Sequence, residues 1–177
     1  MSHINETEDL NNASEAEQLA AVSRFGMDIH YIKTPSAAVQ LAAVKQDSSA
    51  ICCIKKPTEA AQLIAVKKDP ATISFIKKPT EDVQLIAVQH DNNFISKIKN
   101  PTERVQLIAV RKDSAALRFI PNPTHRAAMT ALVDMFGTPG MTLLLRWELI
   151  RMYGLHPDWH ELKDIADGIG YKLGGTR

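Results

Sequence analysis

The sequence predicts an all-α fold, a solenoid of 22-residue, two-helix repeats that ends in a helical C-terminal cap. The first observation is a fixed 22-residue period in the prolines, which stand at Pro35, Pro57, Pro79, Pro101 and Pro123. The second is that each proline opens a near copy of one segment, best seen in IKKPTEAAQLIAVKKDPATISF, which starts at Ile54. Such a period is typical of stacked repeats, in which each unit covers the apolar face of its neighbour.

The copies align column by column, and the alignment sets the predicted boundaries. Four good copies start at the first four prolines, a degenerate copy starts at Ser14, and a half copy starts at Pro123. We therefore expect an acidic N-terminal segment at residues 1–13, a helical repeat solenoid at 14–133, and a C-terminal helical cap or interaction segment at 134–177. The degenerate ends fit the rule that terminal repeats become caps.

Each copy predicts two short helices. In the copy that starts at Pro57, the Thr58 hydroxyl is a natural N-cap of the first helix. The apolar residues of that helix form its predicted buried stripe: Ala61, Leu63, Ile64, Ala65 and Val66. Asp69 then caps a second helix of about two turns, which favours 3₁₀ geometry in part. We expect the Leu, Ala, Val and Ile columns of the repeats to be buried.

A glutamine column lies between apolar neighbours in the most repetitive stretch, at Gln18, Gln40, Gln62, Gln84 and Gln106. The first interpretation is a structural ladder, in which each partly buried amide bonds the backbone of the adjacent repeat, because buried polar groups need partners. The second interpretation is a stripe that contacts a ligand.

Basic residues also recur in columns, although the net charge is only +1. The candidate partner-binding residues among them are Lys55, Lys77, Lys99, Lys67 and Arg111. One interpretation is a solvated edge that complements helix dipoles. A second is a face for an acidic protein, or for the acidic N-terminal segment of this chain. A third is nucleic acid, which the interleaved acidic columns and the lack of an aromatic stacking platform disfavour.

One further column of the second helices mixes aromatic residues with a cysteine, at Tyr31, Cys53, Phe75 and Phe119. We expect this column to fill the core. The adjacent Cys52 and Cys53 are the only cysteines, so a metal site there has no further thiol to complete its ligands.

The segment after the repeats is richer in bulky apolar residues than any repeat. It is predicted to cover the last exposed repeat face as a cap. The other interpretation is a homodimer or partner contact built on Trp147, Tyr153 and Trp159.

Other function classes find little support in the sequence. His156 and His160 are four residues apart, but Pro157 places the first outside a helix, and no nucleophile or phosphate-loop motif is present. We expect no enzyme activity, cofactor or metal. No apolar run is long enough to span a membrane, and the acidic, polar N-terminus does not resemble a secretory signal, which predicts a cytoplasmic protein.

In the columns PTExxQLxAVxxD, residues 14–133 resemble a family of short α-helical repeats of unknown function found in bacterial and bacteriophage proteins. The pattern is also similar to leucine-rich repeat variants. The resemblance implies a right-handed superhelix and a microbial or phage setting, with no active site. We therefore expect a non-catalytic protein-binding module, with the hypothesis that it is a phage or mobile-element inhibitor of a host factor such as a defence component. The alternative is a nucleic-acid-associating protein that uses the basic columns.

Overall fold

The computed structural model describes residues 10–136, and every regular element within that range is a helix. The predicted all-α class is therefore confirmed for this part of the chain. The chain divides after His90 into two compact units. The predicted C-terminal cap, with Trp147, Tyr153 and Trp159, lies outside the described residues.

The first unit alternates α-helices with 3₁₀ helices. Its elements in chain order are α1 (Glu15–Arg24), η1 (Gly26–Tyr31), α2 (Ala37–Gln46), η2 (Ser48–Cys53), α3 (Glu59–Lys68), η3 (Pro70–Phe75) and α4 (Glu81–His90). The α-helices start at residues 15, 37, 59 and 81, so their starts keep the 22-residue period of the sequence. Each α-helix packs against the next α-helix, and each 3₁₀ helix packs against the next 3₁₀ helix.

The second unit continues the same alternation. Its elements are η4 (Asn92–Lys97), α5 (Glu103–Lys112), η5 (Ser114–Phe119) and α6 (His125–Phe136). Here too α5 packs against α6, and η4 packs against η5. None of the helices in the described range is long and apolar enough to cross a membrane.

Two kinds of side-chain cap set where the helices begin. The Thr58 hydroxyl accepts from the Ala61 N–H at the start of α3, as the sequence predicted. The Asp69 carboxylate accepts from the Ala71 N–H, with an N–O distance of 3.0 Å, at the start of η3. Because the first N–H groups of a helix have no partner inside it, each cap satisfies a donor and fixes the helix start. The second elements are 3₁₀ helices along their whole length rather than in part.

The buried face of α3 differs from the predicted stripe. The buried residues are Ala61, Gln62, Ala65 and Val66, whereas Leu63 and Ile64 are only half-buried. At about 100° per residue, the four buried positions span one side of the helix, and residues 63 and 64 lie on its two margins. The expectation of a buried leucine column is therefore wrong in part, because Leu41, Leu63 and Leu107 are half-buried and only Leu85 is buried.

The prediction that the aromatic column fills the core is wrong. The side chains of Tyr31, Phe75 and Phe119 are 42%, 52% and 39% exposed. Each of these residues is the last one of its 3₁₀ helix. In η3, Thr72 and Ile73 are buried and the extended residue Ile76 that follows the helix is buried, whereas the Phe75 side chain between them lies at the surface.

Candidate partner-binding groove

Buried glutamine amides connect consecutive helix pairs within the first unit. The Gln40 Nε2 atom donates to the Pro35 carbonyl at 3.2 Å, and its Oε1 atom accepts from the Thr58 N–H at 2.9 Å. Gln62 repeats the arrangement with the Pro57 carbonyl and the Thr80 N–H. Each amide thus ties the turn before its own α-helix to the N-cap of the next, which is the geometry that the ladder interpretation requires.

The second unit contains the same link. Gln106 donates to the Pro101 carbonyl at 2.9 Å and accepts from the Thr124 N–H at 2.7 Å. Gln84, in the first unit, is also buried and donates to the Pro79 carbonyl. Gln18 is only half-buried and donates to the Leu10 and Ala13 carbonyls.

A second set of polar side chains reaches back to the end of the preceding α-helix. Gln46 donates to the Arg24 carbonyl and accepts from the Gly26 N–H at 2.8 Å. The Lys68 ammonium donates to the Lys45 and Gln46 carbonyls at 2.8 and 2.9 Å, at the C-terminus of α2. The charge of Lys68 is therefore used to cap a helix, because the last carbonyls of an α-helix lack partners within it.

A surface groove lies between η2 and η3 and the turns that follow them, in the first unit. Its volume is about 510 Å³. Its lining residues are Cys52, Cys53, Ile54, Lys55, Lys56, Pro57, Gln62, Phe75, Lys77 and Lys78. We call this feature the basic groove.

The basic groove coincides with a small residue in the column that holds Tyr31, Phe75 and Phe119. Cys53 occupies the position that Tyr31 occupies in the preceding pair and Phe75 in the following pair. The Cys53 side chain is half-buried, the Phe75 ring is half-exposed, and both line the groove. We call the part of the basic groove that Cys53 and Phe75 line the notch.

The charged side chains that line the basic groove are all lysines. Lys55, Lys56, Lys77 and Lys78 are exposed, and among residues 10–136 no carboxylate side chain lines the groove, although the nearby Asp47 carboxylate contributes to the raised pKa of the Cys53 thiol. Among residues 10–136, these four ammonium groups have no hydrogen-bond or ion-pair partner. Four like charges around one concave surface create a positive potential that attracts anionic groups.

The two thiols in the groove are free, and their Sγ atoms lie 3.5 Å apart. Burial, followed by the hydrogen bond to Cys52, raises the pKa of the Cys53 thiol to about 11. The thiol therefore stays protonated near neutral pH, and since the thiolate is the reactive form, Cys53 acts as an apolar wall rather than a nucleophile there.

The predicted partner-binding residues fall in different places. Lys55 and Lys77 line the basic groove, whereas Lys67 is exposed in the last turn of α3 and does not line it. Lys99 and Arg111 are exposed in the second unit.

Sequence reasoning missed Lys56, Lys78 and Phe75 as groove residues. Lys97, which stands in the same column as Phe75, could have indicated that this column is at the surface. A lysine is almost never fully buried without a partner, so its presence indicates that the column faces solvent.

The first unit carries a second depression, and its charge is mixed. Arg24 and Asp28 both line it, beside the exposed Phe25 ring. It therefore lacks the single-signed surface that distinguishes the basic groove. Across residues 10–136, His, Cys, Asp and Glu side chains form no group of three or more that is placed to hold a metal ion.

Comparisons with family models, with curated proteins and with solved structures found no match to this chain.

Proposed function

We propose that this chain is a non-catalytic protein-binding module that holds an acidic partner protein in the basic groove. The observation that carries the proposal is the combination of four unpartnered lysines with a half-exposed phenylalanine ring in one concave surface. Interfaces that bind tightly have a desolvated apolar centre and a polar rim, and complementary charge steers the encounter.

The scaffold in this proposal is a right-handed solenoid of 22-residue helix pairs, closed by a helical C-terminal cap. The regular helix starts and the repeated glutamine links support this arrangement. A scaffold of this type suits a binding function, because stacked repeats present a regular surface on which single positions vary. In the same proposal, Trp147, Tyr153 and Trp159 contribute a homodimer or partner contact.

The setting in this proposal follows from the resemblance to bacterial and phage repeat proteins. We propose a cytoplasmic phage or mobile-element protein that binds and inhibits a host protein, such as a defence component. The partner is expected to carry a cluster of carboxylates, since four lysines line the basic groove.

Nucleic-acid association is the second candidate, and the exposed aromatic residues favour it. Phe75 is half-exposed and is followed within three residues by Lys77 and Lys78. In the second unit, Phe119 is exposed with the Arg118 guanidinium 4.6 Å from its ring centroid. Proteins that bind single-stranded nucleic acid combine aromatic stacking with basic side chains. These exposed aromatic residues offer the stacking surface whose lack disfavoured nucleic acid in the sequence.

Affinity capture with charge-reversal variants tests the proposal. The full chain is immobilised and exposed to a nuclease-treated lysate of the organism's host, and bound proteins are quantified by mass spectrometry. We expect wild-type protein to retain an acidic protein that the double variant Lys77→Glu, Lys78→Glu does not retain. Lys67→Glu is the matched control, since it reverses an exposed lysine outside the groove.

Two results would count against protein binding through this groove. One is a bound set that is identical for wild type and the double variant. The other is binding that occurs only in a parallel lysate without nuclease treatment and that weakens steeply with salt, which is the behaviour expected of phosphate contacts.

A further inference from the structure

We infer that the notch at Cys53 holds one apolar side chain of an acidic peptide segment, so that the basic groove recognises acidic residues around a single apolar anchor. This inference rests on the proposed protein-binding function and specifies its ligand. The lysines alone predict only an anionic partner. The notch adds a requirement for an apolar residue at one position.

The walls of the notch suit an apolar side chain. The half-exposed Phe75 ring, the protonated Cys53 thiol and the half-buried Pro57 ring all line this part of the chain's surface. The whole basic groove, with a volume of about 510 Å³, is within the range of roughly 300–1,000 Å³ typical of ligand pockets. Burial of a Leu, Ile or Phe side chain here removes apolar surface of both partners from water.

The charges around the notch come from two segments of the chain. Lys55 and Lys56 follow η2, whereas Lys77 and Lys78 follow η3, and all four line the same groove. Carboxylates placed before and after the anchor residue can therefore each approach an ammonium group. Lysine stems are long and apolar, so they can cover the anchor while their charged ends stay in water.

The composition of the groove favours a peptide over a single-stranded nucleic acid. Successive bases need successive aromatic faces, but Cys53 interrupts the column between Tyr31 and Phe75. No arginine lines the groove, although arginine is the side chain whose planar fork matches phosphate geometry. Acidic side chains around one apolar anchor match all of the groove's features.

Selection from a random peptide library on the immobilised full chain tests the inference. We expect the enriched peptides to share acidic residues on both sides of one Leu, Ile, Phe or Trp. The best peptide, labelled with a fluorophore, and its version with alanine at the anchor are then titrated with wild-type protein. The anchor peptide should bind roughly tenfold more tightly, because burial of one large apolar side chain has about this effect.

Filling the notch is the matched protein change. Cys53→Phe introduces the residue found at the same column position in the next helix pair, and it leaves the charge unchanged. It should weaken binding of the anchor peptide about tenfold and leave the alanine peptide unaffected. Cys53→Ser, which keeps the side chain small, should bind both peptides as wild type does, and urea unfolding verifies that each variant is folded.

The results separate this inference from the proposed function. Enriched peptides without acidic residues, or equal wild-type affinity for the anchor and alanine peptides, overturn it whether or not Cys53→Phe folds. If a host protein is captured through the lysines but binds Cys53→Phe as well as wild type, protein binding stands and the notch inference fails. If an oligothymidine strand competes with the selected peptide and binds more tightly, the groove is a nucleic-acid site and both proposals fail.

Discussion

Removal of one buried glutamine amide should destabilise the first unit far more than a surface change does. Gln40 is 6% exposed, and both ends of its amide are hydrogen-bonded, to the Pro35 carbonyl and the Thr58 N–H. In Gln40→Ala, the Thr58 N–H loses its acceptor, and a buried group without a partner costs about 1–3 kcal/mol. The lost methylene adds about 0.8 kcal/mol. We expect the free energy of unfolding to fall by about 2–3 kcal/mol in total. The Pro35 carbonyl adds little to this loss, since a carbonyl without its hydrogen bond is tolerated better than an N–H group without one.

Urea unfolding followed by circular dichroism measures this loss. Gln40→Met keeps most of the side-chain volume but removes the amide, so it should retain most of the destabilisation if hydrogen bonds cause it. Lys45→Ala is the control on the same helix, because Lys45 is exposed and surface substitutions usually change stability by less than about 0.5 kcal/mol. A Gln40→Ala variant as stable as Lys45→Ala would refute the structural role of the ladder.

Three further changes have defined outcomes. Gly26→Ala should lower the free energy of unfolding in urea by about 1–3 kcal/mol, because the new Cβ would lie 2.5 Å from the Ala43 carbonyl oxygen. Unchanged stability would mean that η1 and α2 can move apart at little cost. In Cys52→Ser, the iodoacetamide rate of the remaining Cys53 should keep rising above pH 9, since burial, the largest cause of the raised pKa of that thiol, does not depend on Cys52; a plateau at or below pH 9 would contradict this. Hydrogen bonds from Ser14 lower the pKa of Glu17, so wild type should be more stable than Glu17→Gln above about pH 4.5. This advantage should be lost as the pH falls through the lowered pKa. A difference in urea midpoints that does not change with pH would contradict the prediction.

The helices could be predicted from the sequence because their signals are local. Thr58 and Asp69 mark the starts of α3 and η3 through caps that need only the neighbouring residues. The glutamine ladder could also be predicted, because a polar residue that recurs among buried apolar residues must have a hydrogen-bond partner. That partner lies in an adjacent helix pair, so only the period links the two positions.

The basic groove could not be predicted, because it depends on how the second helix ends. Phe75 is the last residue of η3 and is half-exposed, whereas the extended residue Ile76 after it is buried, and helical periodicity does not predict this change. The notch depends further on the size of one side chain, Cys53, between two aromatic positions. The contact of Lys68 could not be predicted either. Its ammonium group donates to the last carbonyls of the preceding α-helix, and its position in the sequence does not show this.

Lysine acetylation footprinting tests the central claim, that the basic groove binds the partner, most directly. The full chain is treated with an acetylating reagent alone and with the captured partner, and modification of each lysine is measured by mass spectrometry. We predict that the partner protects Lys55, Lys56, Lys77 and Lys78 and leaves the exposed Lys45 and Lys67 reactive. Protection of Lys45 and Lys67, with the four groove lysines as reactive as in the free protein, would contradict the claim.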